Sequence, residues 1–498
     1  MKIKLFAAMI IFIFTALFFT SCQDGAGNTA PDTQGNTNDT TGEESKAPPE
    51  FTPLDGTDYG GYKFRIYAID PNVLLFESAV GMINEIAPET ETGEPINDAV
   101  FRRNTEIETL YNIEIVPTFY SSRDAVTDAA RRVILAADDA YDAGFTVGIT
   151  MPTILGSKSY TYDLFNIPNL DPSKSWWNQK AVSEFSISKQ LHIITGDASI
   201  FGALSIDAMY RNKELANMYD LENAYDLARQ GKWTWDKLIE MCRRVSRDLD
   251  GDGVMTDADQ YGIYTEYACV RYMLRCCGGR IVKKEADDIP YLAINTETTL
   301  KVIDYALASF MDKDIAMVAQ DYKFSNYYID SLMPKYLNNE VLFSPNGIYA
   351  TLDLRNMECD FEILPYPKLS EQQSQYYAMT SRSYETHIHI PATCSDTART
   401  GAVLEALGYY SRQYVKPAVI DVTVTNKLIR DEDSAEMLGL MLDSREYDIG
   451  EYYNWDNLIN NLLYSSLQAR SNVFASNYAK HEEKIKTLIQ KTIDEMLE

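Results

Sequence analysis

Between Tyr62 and Val147 the apolar pattern of this chain switches repeatedly between a two-residue and a 3.6-residue period, and that alternation limits the folds open to it. Tyr62-Lys-Phe64-Arg-Ile66-Tyr-Ala alternates as a strand, and the capping pair Asn97-Asp98 leads a helix with apolar positions Val100, Phe101, Ile107 and Leu110. A strand over 113–119, a helix over 124–137 and a strand over 143–147 continue the series. Such β-α-β order implies a parallel sheet covered by helices. Further strands are expected at 191–195, 340–343, 361–364 and 387–390, with helices from near Asn212, over 397–411 and over 477–497. Thr234 is the expected N-cap of another helix, on which Trp235, Leu238, Ile239, Cys242 and Val245 share one face; Trp233 and Trp235 therefore read as core residues. The fold class is α/β, and about 440 residues beyond Asp58 suit two lobes.

The N-terminus has the order of an export signal. Lys2 and Lys4 precede an apolar run over 5–19, too short for a comfortable membrane span. Phe19-Thr20-Ser21-Cys22 resembles a bacterial lipobox, with Phe19 in place of the usual leucine; cleavage would leave Cys22 lipidated at the mature N-terminus, and an uncleaved segment would still anchor the chain outside the membrane. Residues 1–21 are then the signal peptide and 22–57 a tether poor in large apolar residues.

A second motif follows the Trp233 helix. Asp248, Asp250, Asp252, Val254, Thr256 and Asp259 occupy positions 1, 3, 5, 7, 9 and 12 of a calcium loop, with Gly253 at the turn position. Asp259 is shorter than the glutamate usual at position 12. Tyr261-Gly-Ile263-Tyr-Thr265 beyond it reads as a strand, so the loop is expected to be a structural calcium staple and not a sensor; the alternative is an acidic turn held by Asx hydrogen bonds.

The formal net charge of −28, or −30 once the two signal lysines are gone, makes nucleic acid and anionic lipid poor partners. A neutral or cationic ligand is easier to accept. Besides Cys22, the cysteines Cys242, Cys269, Cys276, Cys277, Cys359 and Cys394 have neither metal nor disulfide-framework spacing and read as reduced core thiols, a Cys276–Cys277 disulfide being the minor alternative. There is no nucleophile elbow, P-loop or dinucleotide fingerprint, and His387 and His389, although on one strand face, lack a third zinc ligand.

Several segments together resemble the extracellular solute-binding lipoproteins that serve ATP-binding-cassette (ABC) importers, in the carbohydrate-type group of Gram-positive, Clostridia-like bacteria. They are Gly93-Glu-Pro-Ile-Asn97-Asp98, Ser175-Trp176-Trp177, Gly196-Asp197, Gly231-Lys-Trp233-Thr-Trp235-Asp-Lys-Leu238, Ile363-Leu-Pro365-Tyr366-Pro367-Lys368 and Arg430-Asp431-Glu-Asp-Ser434. The resemblance implies a type II, maltose-binding-protein-like clamshell with lobe 1 over 58–203 and 364–414 and lobe 2 over 204–363 and 415–498. It implies a carbohydrate ligand, ABC permease partners, a lipid anchor on the outer membrane face and no catalysis. A surface glycan-binding adhesive lipoprotein and, more remotely, a glycoside hydrolase are the alternatives.

Thirty-four tyrosines against 19 phenylalanines suit a sugar cleft, since tyrosine stacks on a pyranose while keeping one edge wet. The candidate ligand contacts are Asp70 and Asn72 after the first strand, Asp197 and Ser199 near the expected hinge, Trp177, and Trp455 in the C-terminal helical region. Asn346 and Tyr349 join them because the related family places a ligand-contacting turn there. Adjacent Trp176 and Trp177 are not expected to be buried together on one face.

Overall fold

The computed structural model describes residues 51–54, 57–74, 83–155, 160–354, 360–420 and 431–497. The export signal, Cys22, most of the tether, Cys359 and Arg430 lie outside them. The strands are β1 (Tyr62–Ile69), β2 (Ile113–Tyr120), β3 (Ala143–Val147), β4 (Asp207–Asn212), β5 (Tyr261–Thr265), β6 (Val282–Lys284), β7 (Pro290–Leu292), β8 (Ala316–Val318), β9 (Val341–Gly347), β10 (Phe361–Leu364) and β11 (Thr386–His389). One sheet has the order β11-β3-β1-β2 and a second the order β10-β4-β9-β5-β8, with β6 and β7 forming a separate hairpin.

Each large sheet is parallel at its heart, as the periodicity predicts: β1 pairs in parallel with β2 and β3, and β5 with β8 and β9. Both also contain antiparallel members that the periodicity does not reveal. β11 pairs antiparallel with β3, and β4 lies antiparallel between β9 and β10. Connections through helices suit the parallel members; the antiparallel strands are those flanking the passages between sheets.

Where the chain passes between the two large sheets, segments around 205–207, 378–381 and 444–446 pair with one another. The Asp207 N–H donates to the Met379 carbonyl and the Ser381 N–H to the Ser205 carbonyl, both at 2.9 Å. On the other side of the same segment, the Ala378 N–H donates to Ser444 at 3.1 Å and the Glu446 N–H to Ala378 at 2.9 Å. These segments form a narrow ribbon with 378–381 in the middle. Beyond it the short helix Ile449–Tyr453 rests on the helix Met151–Ile154, whereas Leu458–Ala469 packs against Cys269–Cys276 and Glu297–Phe310.

Apart from Tyr366, the described motifs behind the family resemblance are scaffold. Trp177 bridges Gly196, where a Cβ would stand 2.1 Å from the Trp176 carbonyl oxygen, so only glycine permits that approach. Thr234 caps the helix Trp235–Val245 through the Lys237 N–H, Trp233 donates its indole N–H to the Pro365 carbonyl at 2.8 Å, and the Lys368 N–H donates to Trp233 at 3.0 Å. Asp431 caps the helix Glu432–Asp443, accepting from the Ser434 N–H at 2.6 Å, from Tyr225 and from Lys213. Asp98 accepts from the Thr92 and Gly93 N–H groups just ahead of the helix Pro95–Tyr111, which starts after Glu94 and so contains the Asn97-Asp98 pair expected to cap it.

Two further expectations change. Residues 191–195 form no strand; Ile194 makes a single antiparallel bridge to Ile388 at the rim of the first sheet. Trp176 and Trp177 are both buried, because they diverge: Trp176 meets Phe51 and Tyr409 edge-on, and Trp177 donates to Glu405 at 3.2 Å. The described cysteines, Cys242, Cys269, Cys276, Cys277 and Cys394, are buried free thiols. Among the described residues, no helix is long and apolar enough to cross a membrane.

Candidate functional site

The carboxyl ends of β3, β5 and β9 meet a cavity of about 590 Å³. Strand register brings the antiparallel strands to the same place. Asp207, which opens β4, faces Gly347 at the end of β9, and Thr386, which opens β11, faces Val147 at the end of β3. The second lobe supplies Asp207, Glu266, Asn346 and Tyr349, and the first supplies Ile149 and the segment Ser381–Tyr384. Arg271 and Tyr272 come from the helix Cys269–Cys276, Asn460 and Tyr464 from the helix Leu458–Ala469.

Tyrosine dominates the lining, and no tryptophan takes part. Tyr349 meets Tyr384 edge-on across the cleft, with centroids 5.3 Å apart and planes at 74°. Tyr327 donates its hydroxyl to Glu266 at 3.0 Å, and Tyr328 to Asp353 at 2.9 Å. Flat rings with a polar edge provide both stacking surface and hydroxyl partners for a polyol. Burial pushes the Tyr264 hydroxyl up to about 12 and raises the Glu266 carboxyl, which the Tyr327 hydrogen bond and the Arg271 charge partly offset.

Of the sequence candidates, the structure brings Asn346 and Tyr349 to this cleft. The others take structural places. Asp70 accepts from the Asn72 N–H and side-chain amide, both at 2.9 Å, in an Asx turn at the end of β1. Asp197 pairs with Arg412 at 3.3 Å and Lys416 at 3.2 Å. The Ser199 hydroxyl accepts from the Gly202 N–H at 3.2 Å and the Thr386 N–H at 3.0 Å, tying the first passage to β11. Trp177 is core, and Trp455 stacks on Tyr453 and donates to Thr492 at 3.1 Å. Asp207, Glu266, Arg271 and Arg382 were not foreseen, although Ile206 to Tyr210 is a short apolar run whose first charged residue marks a strand end.

In the acidic loop, carboxylate oxygens of Asp248, Asp250 and Asp252 converge within 4.8 Å of one another. Asp248 also accepts from the Gly251 and Gly253 N–H groups, each at 2.7 Å, which fixes it in the turn. Asp259 stands apart from this group. Its oxygens accept from Leu249 at 2.8 Å and Thr256 at 2.7 Å, so it ties the two ends of the loop together instead of pointing a free carboxylate at an ion. His387 and His389 are buried; His387 donates Nδ1–H to the Glu385 carbonyl and His389 shares a hydrogen bond with the Tyr67 hydroxyl, and burial pushes them down to about 4 and about 3.

No family model and no curated protein sequence matches the chain. Solved structures do. An ABC substrate-binding protein from Listeria monocytogenes in complex with cycloalternan aligns over 88% of this chain and 98% of its own, with a TM-score of 0.53 and 13% identity. A cyclo/maltodextrin-binding protein complexed with maltotetraose covers 87% and 96%, with a TM-score of 0.52 and 12% identity. UgpB from Mycobacterium tuberculosis, in complex with glycerophosphocholine, covers 87% and 99%, with a TM-score of 0.54 and 12% identity. The chain has the two-lobed type II fold of ABC-importer solute-binding proteins, of the maltose-binding kind.

Proposed function

We infer that the protein is an extracellular, lipid-anchored receptor that captures an oligosaccharide between its lobes by hinge closure and delivers it to the permease subunits of an ABC importer, without chemistry. The observation that carries this reading is the tyrosine-lined cleft at the strand ends of two lobes joined by a narrow ribbon. Such ribbons let lobes rotate, and a ligand that touches both lobes favours the closed form. The sugar complexes named for two of the fold relatives support a carbohydrate as ligand. The signal-like N-terminus and Cys22 support anchoring at the outer membrane face.

The loop 248–259 serves this receptor as a calcium staple. Asp248, Asp250 and Asp252 would hold the ion, Val254 and Thr256 stand at the remaining ligand spacings, and Asp259 closes the loop around them.

The test of the receptor reading is a calorimetric titration with short oligosaccharides and with long polymer, followed by chromatography of the ligand. Tight binding of intact short oligosaccharides is expected. Binding to polymer alone, or turnover, would contradict it.

A further inference from the structure

The acidic groups of the cleft bear on the chemistry of its ligand. Asp207 is 7% exposed, and its Oδ2 is buried without a hydrogen-bond partner among the described residues. Burying an uncompensated carboxylate is costly, and a site that keeps one is arranged for something that arrives. The carboxylate lies within electrostatic reach of Tyr272, Tyr349, Tyr366 and Tyr384. Glu266, at the end of β5, supplies a second carboxylate in the same cavity.

The guanidinium groups of the cleft make an ion pair or hydrogen bonds to the protein, although Nε of each has no hydrogen-bond partner among the described residues. Arg271 pairs with Glu451 at 3.0 Å and lies 4.8 Å from the centre of the Tyr272 ring. Arg382 donates to the carbonyls of Glu451 and Tyr452. The lining thus holds two carboxyl groups, Asp207 and Glu266, and two guanidinium groups that are directed at other partners, Arg271 at Glu451 and Arg382 at backbone carbonyls. Tyrosine ring faces are themselves electronegative and attract organic cations, more strongly where water is excluded.

We propose that the cleft recognises a saccharide carrying a protonated amino group, received by Asp207 and Glu266 and flanked by the tyrosine rings around them. This rests on the carbohydrate reading above and narrows it. A sugar hydroxyl satisfies one hydrogen bond of Asp207, whereas an ammonium also balances its charge. Burial pushes the Asp207 carboxyl well above the usual carboxylate range, with Arg271 pulling it down and Glu451 and Glu266 pushing it further up. An arriving ammonium favours the ionised form, so binding releases a proton to the buffer.

The test uses three β-1,4-linked trimers that differ only at C2: glucosamine, N-acetylglucosamine and glucose, titrated calorimetrically into the full chain in two buffers of different ionisation enthalpy. The glucosamine trimer is expected to bind about tenfold more tightly than the other two, with a buffer-dependent heat. Asp207→Asn removes the preference and the buffer dependence, and Glu266→Gln reduces the preference; a melting curve checks that each variant folds. Should a variant not fold, the three trimers on the unaltered protein still decide. Equal or tighter binding of the neutral trimers overturns the proposal and leaves the receptor reading standing. Failure of all three, together with the oligosaccharides of the preceding section, overturns both.

Discussion

Glu385, just beyond the 378–381 ribbon, ties the segments around Thr195 and Tyr447–Tyr452 together. It accepts from Thr195 at 3.3 Å, from Tyr447 at 2.8 Å and from Tyr452 at 3.4 Å, and burial pushes its carboxyl up to about 7 from an ordinary 4.5. The folded state therefore holds this proton more tightly than the unfolded one. Its stabilisation is complete below about pH 4.5 and disappears as pH rises through about 7. His387, pushed down to about 4, acts in the opposite sense, so the total melting curve mixes both and a variant is needed. The melting temperature of Glu385→Gln should gain on that of the wild type between about pH 5 and about pH 8, because glutamine never has to bury a charge. Parallel curves would refute this. Trp177 makes a complementary case: truncation to alanine should cost about 3–5 kcal/mol in denaturant unfolding. Ligand affinity of the folded protein should stay unchanged, since the ring is core and not cleft.

At the level of elements, the acidic loop links the helix Trp235–Val245 to β5, the strand that ends in Thr265 next to Glu266. Metal bound only by the native state stabilises it by mass action, so chelation should lower the melting midpoint, and Asp250→Asn with Asp252→Asn should abolish the difference. An unchanged midpoint with no metal in the purified protein would exclude the staple. These elements also show what the sequence made legible. β1, β3 and the helix Trp235–Val245 stand where period and capping put them, since those signals are local. The strand expected at 191–195 has the right alternation, but its place beside β11 yields one bridge only, because pairing depends on distant partners. β4 escaped notice for a related reason. Its residues Asp207-Ala-Met-Tyr-Arg-Asn hold buried polar groups, among them Arg211 paired with Glu362 at 2.8 Å, and so do not alternate.

In the whole molecule the same distinction separates the candidate residues that reached the cleft from those that did not. Asn346 and Tyr349 rest on a family pattern, which carries tertiary information; Asp70, Asn72, Asp197, Ser199 and Trp455 rest on position and residue type, and the structure gives them turns, ion pairs and packing. The motifs behind the resemblance, meanwhile, brace the interior of each lobe, and of their described residues Tyr366 alone lines the cleft, so they identify an architecture and not a sugar. Closure about the 378–381 ribbon should reduce the radius of gyration in solution scattering when ligand is added; a bound but unchanged envelope would contradict the hinge motion. The most direct test of the central claim, that ligand binds between the two sheets, is a calorimetric titration of Tyr349→Ala with the tightest-binding oligosaccharide. The variant loses the ring that meets Tyr384 across the cleft and should bind at least about tenfold more weakly, while its melting curve shows that it still folds. Wild-type affinity in that variant would place the ligand elsewhere.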